Sequence, residues 1–405
     1  MIAATEGQVS QVDASTGNEQ KPVKTSWQQL FGLRERGVYY ALFLLITVLT
    51  IITTYLGQAN YLSVLNLSNV VYQSSLIAIM AVAMTVVLIS GNFDLSVASV
   101  AALAAAVLIG NADAIGFVPA AFLAMGVAMV IGLINGSIVQ FVGINAFIVT
   151  LGTMTAVRGL VLIYTDGRSL SVSNPDVIAT MRAFEGGRQD AFWLALVGGL
   201  ILCLAGLASI IRARNAGKAL RSSAVGSLVL GGMLLLVAWA SGGELVLRNP
   251  VVYLAVFTLV VWFVLSFTMV GRRLYAVGGN AEAARLSGIN VTRYKLMAFV
   301  FCSGAAGFAG ILFASRLRSI NPAGLQGAEL TVIAAAILGG TSLFGGAGSV
   351  VKTLAGALLL YSLTNGFNIL NLGANWQGLI EGIVVVVAAA IYTIGGNKNK
   401  SKTGG

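Results

Sequence analysis

Asp94, Arg158 and Glu381 are ionisable residues that sit inside or beside long apolar runs of this chain. A charge at membrane depth costs a few kcal/mol to insert, so each is a functional candidate. The chemistry open to them is ion pairing and hydrogen bonding. Metal binding finds no support, because the chain has no histidine and its two cysteines, Cys203 and Cys302, read as small buried hydrophobes. Gly-x-x-x-x-Gly-Lys-[Ser/Thr] occurs nowhere, so the sequence offers no P-loop. No catalytic residue, metal ligand or cofactor is expected.

Asp94 lies in Ile89-Ser90-Gly91-Asn92-Phe93-Asp94-Leu95-Ser96-Val97-Ala98-Ser99. It is either a pathway group or a helix cap whose carboxylate accepts backbone N–H groups, and the two roles are compatible. Arg158, in the run 146–165, lies seven residues from the end of its helix. It either snorkels to the outer interface, donates to a solute hydroxyl, or pairs with Asp94 or Glu381. Glu381 is expected to face the bundle interior, with Lys352 or Arg158 as partner. Asn135, Asn145, Asn365, Asn368, Asn371, Asn375 and Gln377 supply amides at or near membrane depth. Amides match an uncharged, hydroxyl-rich solute better than an ion, although glue between helices is the competing role. The candidate pathway set is Asp94, Ser96, Asn145, Arg158, Asn365 and Asn368.

The elements that must position these groups follow from composition. Of 405 residues, 57% are hydrophobic and 9% charged. A soluble chain carries about 25% charged residues, so the solvent for most of this one is lipid. Runs that meet or approach the length of a spanning helix are 38–57, 69–90, 95–111, 117–142, 146–165, 191–211, 224–240, 250–270, 295–315, 329–345, 349–372 and 376–395. The third and tenth are short and glycine-bounded, each a candidate for a re-entrant or broken helix. The expectation is an all-α polytopic membrane protein with ten to twelve transmembrane helices. Residues 1–37 and 397–405 read as cytoplasmic tails, the first disordered, around a transmembrane domain at 38–396.

With the N-terminus inside, sixteen Lys and Arg residues fall in cytoplasmic segments, while six (Arg168, Arg182, Arg188, Arg248, Arg316 and Arg318) fall outside. This bias orients the chain and places 271–292 in the cytoplasm. It also explains the net charge of +10 without a nucleic-acid partner, because the charges flank spans and form no stripe. The longest outer segment, 166–190, mixes both signs and is a candidate contact surface for an external partner. An inverted repeat is a further expectation: Leu133, Asn135, Gly136, Gly143 and Asn145 recur as Leu363, Asn365, Gly366, Gly373 and Asn375 in an oppositely directed span.

Two polar interruptions stand out. Gly278 to Asn290 reads Gly-Gly-Asn-Ala-Glu-Ala-Ala-Arg-Leu-Ser-Gly-Ile-Asn. Glu282 suits the first turn of a short helix, Ala283 and Ala284 allow close packing, and Gly288 suits its stop. Gly339-Gly340-Thr341-Ser342-Leu343-Phe344-Gly345-Gly346-Ala347-Gly348-Ser349 permits a sharp break between two runs, with Gly339, Gly340, Gly345 and Gly346 as hinge glycines.

The Glu-Ala-Ala-x-x-x-Gly pattern at Glu282–Gly288 resembles the coupling loop of permease subunits in ABC-type importers. The longer string Gly271–Asn290 resembles the ribose and xylose branch, as does the Gly339–Gly348 segment. The Asp94 stretch resembles that family's Gly-Ile-Asp-Leu-Ser-Val-Gly-Ser signature, with Ala98 in place of a glycine, and Arg158 resembles the same position in sugar permeases. The extra runs at 191–211 and 224–240 look like the xylose-type members. The resemblance implies a short cytoplasmic coupling helix built on Gly278, Gly279, Asn280, Glu282, Ala283, Ala284, Arg285 and Gly288. It implies ATP-binding ATPase subunits on the cytoplasmic side, a periplasmic or extracellular sugar-binding protein, and a second copy of the chain in a lipid-embedded homodimer. The expected activity is import of a monosaccharide such as D-xylose across the bacterial cytoplasmic membrane, with both termini inside. An ion-coupled secondary sugar transporter, a permease for another small polar solute, and a structural scaffold are the alternatives.

Overall fold

The computed structural model describes residues 33–215 and 222–372, with a few helical positions between 376 and 383. Gly373, Asn375, Gln377, Glu381, most of the run 376–395 and the greater part of both tails lie outside the described residues. In chain order the helices are α1 (Leu33–Tyr55), α2 (Val64–Ile89), α3 (Val97–Ile115) and α4 (Phe117–Ser137), the last continued by a π-helical turn, Ile138–Val142. Then come α5 (Ala146–Thr165), α6 (Pro175–Gly186), α7 (Phe192–Asn215), α8 (Ser222–Ala240) and α9 (Asn249–Phe267). The last five are α10 (Met269–Gly279), α11 (Ala281–Leu286), α12 (Val291–Leu317), α13 (Ala328–Leu338) and α14 (Val350–Ile369). Among the described residues nine helices are long and apolar enough to cross a membrane, with α8 and α13 as shorter apolar helices. The chain is an all-α polytopic membrane protein.

Two compact units emerge. The smaller contains the hairpin of α7 and α8 at 194–237. Within it, Gly199 and Gly206 admit Leu235 and Leu228, whose Cγ atoms would stand 2.9 and 2.8 Å from a Cβ at those glycines. Without a strong hydrophobic drive between helices in lipid, such close packing holds them together.

In the larger unit α2 is the central helix, buried continuously from Ser74 to Ile89. Its hydroxyls are satisfied locally: Ser75 donates to Tyr72 O at 2.6 Å and Thr85 to Ala81 O at 2.9 Å. Burial in protein or lipid therefore leaves no orphan donor there. α12 packs on α2, α3 and α4, and Gly310 meets the Ala101 backbone so closely that a Cβ would collide with it. α14 packs on α2 and α13 in the same way, with Gly356 against the Ala335 carbonyl.

At one end of this unit lie two short antiparallel ribbons, β1 (Leu170–Ser171) with β4 (Ser319–Ile320) and β2 (Arg188–Asp190) with β3 (Val246–Arg248). The ends of α2 and α10 and the segment 339–349 meet at the other. Within the larger unit, the described connecting segments assigned to one side by Lys and Arg placement thus gather at one end.

Three boundaries differ from expectation. α3 is not broken: it continues through Asn111 and Asp113 to Ile115. Asn111 donates to Val107 O and Tyr164 Oη, while Asp113 accepts from Ser173 and Asn174, so residues that read as a stop are satisfied by neighbours. α1 begins at Leu33, ahead of the tail boundary at 37, since Leu33-Arg34-Glu35-Arg36 are good helix formers beyond the lipid edge. Finally, α9 ends at Phe267, and Thr268 caps a separate α10 where a loop from 271 was expected. The tenth run is short as anticipated, since α13 stops at Leu338.

Candidate functional site

α11 begins directly after α10, with the Asn280 side chain accepting from Ala283 N at 3.0 Å. The helix ends as Gly288 turns to φ +78° and Ile289 N donates to Ala284 O at 3.0 Å. Ala284 packs with Val277 and Val291, and the opposite face shows Glu282, Ala283, Arg285 and Leu286 to the surroundings. Leu286 is 85% exposed, and Phe344, at the same end, 93%. Sequence reasoning passed over both. The signal was there, a large apolar residue inside each polar interruption.

Three chain segments meet beside α11 largely through glycine backbone. Gly346 N donates to Ile89 O at 2.9 Å, and Tyr275 Oη donates to Gly348 O at 2.9 Å. A Cβ on Gly345 would stand 2.6 Å from Gly278 O and 2.8 Å from Gly91 Cα; one on Gly346 would stand 2.6 Å from Gly279 Cα. On Gly278 it would strike the Ile89 carbonyl. Gly345 and Gly346 also hold φ of +84° and +71°, where a side chain is disfavoured. Gly339 and Gly340 end α13, with Gly340 N donating to Ile337 O at 2.7 Å and Gly339 lying against the Thr353 backbone. Gly278 and Gly279, Gly345 and Gly346, and the turn before Asp94 therefore form one junction.

Asp94 is fully buried. Its Oδ1 accepts from Ser96 N at 2.9 Å and Ser96 Oγ at 2.5 Å, while Oδ2 has no partner. Burial pushes the Asp94 carboxyl above the ordinary carboxylate range, with the Ser96 donors pulling the other way. Ser96 Oγ in turn accepts from Asn135 Nδ2 at 3.0 Å, and Asn135 Oδ1 accepts from Thr153 Oγ1 at 2.6 Å. This chain of bonds ties the start of α3 to α4 and α5.

Arg158 pairs with neither Asp94 nor, within the described residues, any partner named from sequence. Its Nη2 donates to both carboxylate oxygens of Glu329, at 3.0 and 3.2 Å, joining α5 to α13. Glu329 was overlooked, although a lone carboxylate opening an apolar run is the signal that flagged Asp94.

The remaining candidates sit elsewhere. Asn145 caps α5, accepting from Phe147 N at 2.8 Å. Asn365 exchanges two 3.0 Å amide bonds with Asn66, clasping α14 to α2, and Asn368 is exposed near the end of α14. At the ribbon end, Glu185 of α6 accepts from Tyr72 Oη at 2.6 Å and Arg316 Nε at 2.7 Å, and Arg248 and Arg316 stack on the Tyr72 ring. Among the described residues no cluster of His, Cys, Asp or Glu is placed to hold a metal.

The family description that matches residues 66–389 is branched-chain amino acid transport system, permease component. The ribose import permease protein RbsC of Escherichia coli K12 is 33% identical over 356 residues, 87% of this chain and 92% of that protein. The xylose transport system permease protein XylH of Escherichia coli K12 is 35% identical over 348 residues, 83% of this chain and 86% of that protein. The Haemophilus influenzae XylH is 32% identical over 386 residues, 90% and 99% of the two chains. No solved structure matches. The chain is thus similar to transport permeases along most of its length and belongs to this permease family.

Proposed function

We propose that this chain is the membrane-spanning subunit of an ATP-driven importer for a monosaccharide, D-xylose or a related pentose, in the cytoplasmic membrane. The observation that carries the reading is the glycine junction. A push on the exposed face of α11 passes through Gly278 and Gly279 to the Ile89 carbonyl, and through Gly345 and Gly346 to the break between α13 and α14. Side chains would cushion such contacts, whereas backbone against backbone transmits displacement. Allosteric coupling needs contacts that differ between two states, and α11 offers the surface on which an ATPase would make them.

In this mechanism the chain binds no nucleotide. A separate ATPase grips Glu282, Arg285, Leu286 and Phe344 from the cytosol, a second copy of the chain completes the pathway, and a sugar-binding protein delivers solute at the ribbon end. Both termini lie inside. Support for a pentose comes from relatives named for ribose and xylose. The family description, by contrast, names branched-chain amino acids.

The test is reconstitution with the candidate ATPase and binding protein in proteoliposomes. ATP-dependent uptake of D-xylose or D-ribose, insensitive to ion gradients, is expected. Uptake that persists without the ATPase, or uptake of leucine alone, overturns the reading.

A further inference from the structure

Charged side chains within a membrane are expensive, and an apolar pair of similar size would hold α5 to α13 at least as well. The Arg158–Glu329 pair therefore calls for a reason beyond adhesion. Its surroundings supply one. Arg158 lies seven residues below Thr165, the end of α5, which is about 10 Å at the helical rise. Glu329, in contact with it, lies at the same depth. Residues 321–327, which leave the outer ribbon at Ile320, must descend to reach it. They do so without helix, folding toward α12, where a Cβ on Gly324 would stand 3.4 Å from Phe313 Cε1. Leu325 is held at φ +62°, a left-handed conformation uncommon for a residue other than glycine.

Irregular backbone at this depth is tolerated only where protein covers it or water reaches it. Asn321 and Gln326 of the segment are exposed; Asn321 Oδ1 accepts from Ala323 N at 2.9 Å, but the amide N–H groups turned toward hydrocarbon would be unsatisfied. Next to Arg158 in α5, Gly159 leaves open space, since a Cβ placed there would meet nothing within 4 Å. The side chains of Arg158 and Glu329 are 21% and 11% exposed, so the pair is partly reachable without being dismantled.

We infer that Arg158, Glu329 and the descending segment 321–327 form a solute contact in the outer half of the pathway, built for a vicinal diol. The carboxylate accepts from one hydroxyl while the guanidinium donates to the oxygen of its neighbour, and Asn321 and Gln326 serve the remaining hydroxyls. The pair is neutral as a whole. A neutral polyol leaves both charges compensated, whereas an anion would draw Arg158 away and strand Glu329. This rests on the proposed function, since it names how that pathway meets its sugar.

The experiment uses the full importer with its ATPase and binding protein. Replacing the pair by an apolar one, Arg158→Met with Glu329→Leu, removes the charges without leaving either unpaired. The expected result is a thermal unfolding temperature at or above wild type together with D-xylose and D-ribose uptake reduced at least tenfold. Uptake within twofold of wild type overturns the inference and leaves the sugar importer standing. Wild-type protein that takes up leucine and no pentose overturns both, because the pair would then clamp a zwitterion. Independently of that variant, Gln326→Cys in the otherwise native importer should react with a membrane-impermeant maleimide and be protected by saturating D-xylose. Absence of labelling, or labelling that sugar does not slow, overturns the inference.

Discussion

The amide of Gly346 donates to the carbonyl of Ile89 at 2.9 Å, so a loop between α13 and α14 is bonded to the last turn of α2. Gly278 of α10 packs against the same carbonyl. One peptide group thus meets two segments far apart in the chain, and both need glycine to reach it.

Gly278→Val is expected to destabilise the fold and to uncouple ATP hydrolysis from uptake. Overpacking of this kind costs about 1–3 kcal/mol, and here the clash is with backbone, which yields less than a side chain. Thermal unfolding in detergent measures the first effect and the ratio of ATP hydrolysed to sugar imported measures the second. Tight coupling in a well-folded Gly278→Val variant would count against the junction as a route for motion.

Leu286→Ala and Phe344→Ala should weaken association with the ATPase subunit while leaving the unfolding temperature close to that of wild type. Both side chains stand clear of the bundle. Truncating an apolar anchor at the centre of an interface costs roughly 2 kcal/mol or more, about thirtyfold in affinity. Titration of purified ATPase onto immobilised permease checks this. Gly288→Trp, which forces a side chain onto φ +78°, should abolish uptake.

Asp94 predicts a pH dependence. Its folded-state pKa is raised above the ordinary 3.8 by burial, so the folded state holds the proton more tightly than the unfolded chain. Protonation therefore stabilises the fold, and that contribution is fully present below the ordinary value and lost as pH rises through the folded pKa. Asp94→Asn removes the titration. The gap in unfolding temperature between the variant and wild type should widen in the variant's favour as pH rises from about 4, then level off. A gap that stays constant from acid to neutral pH would show that Asp94 does not titrate in this range.

Arg316→Ala strands the Glu185 carboxylate, whose side chain is 6% exposed, with only the Tyr72 hydroxyl to serve it. Leaving one partner of a buried pair unpaired costs about 3–5 kcal/mol. Unfolding temperature should fall sharply. Glu185→Gln in the same background should recover part of the loss, because no buried charge then remains.

The composition alone dictated a polytopic helical bundle, because 9% charged residues cannot cover a water-soluble surface and spanning backbone must satisfy its own hydrogen bonds. The position of α11, the first-turn place of Glu282 and the Gly288 stop were legible too, since they depend on neighbours a few residues away. So was the grouping of connecting segments at the two ends of the bundle, because each arginine flanking a span reports its own local cost of crossing. Pairing was not legible. That Arg158 meets Glu329, that Asn365 meets Asn66, and that Gly278, Gly91 and Gly345 share one contact depend on separations of tens to hundreds of residues. A glycine in sequence advertises freedom from side-chain clash but not which backbone will use the space. Only helix packing decides that, because in lipid the helices find each other by shape, and shape is a property of the assembled bundle rather than of any one run.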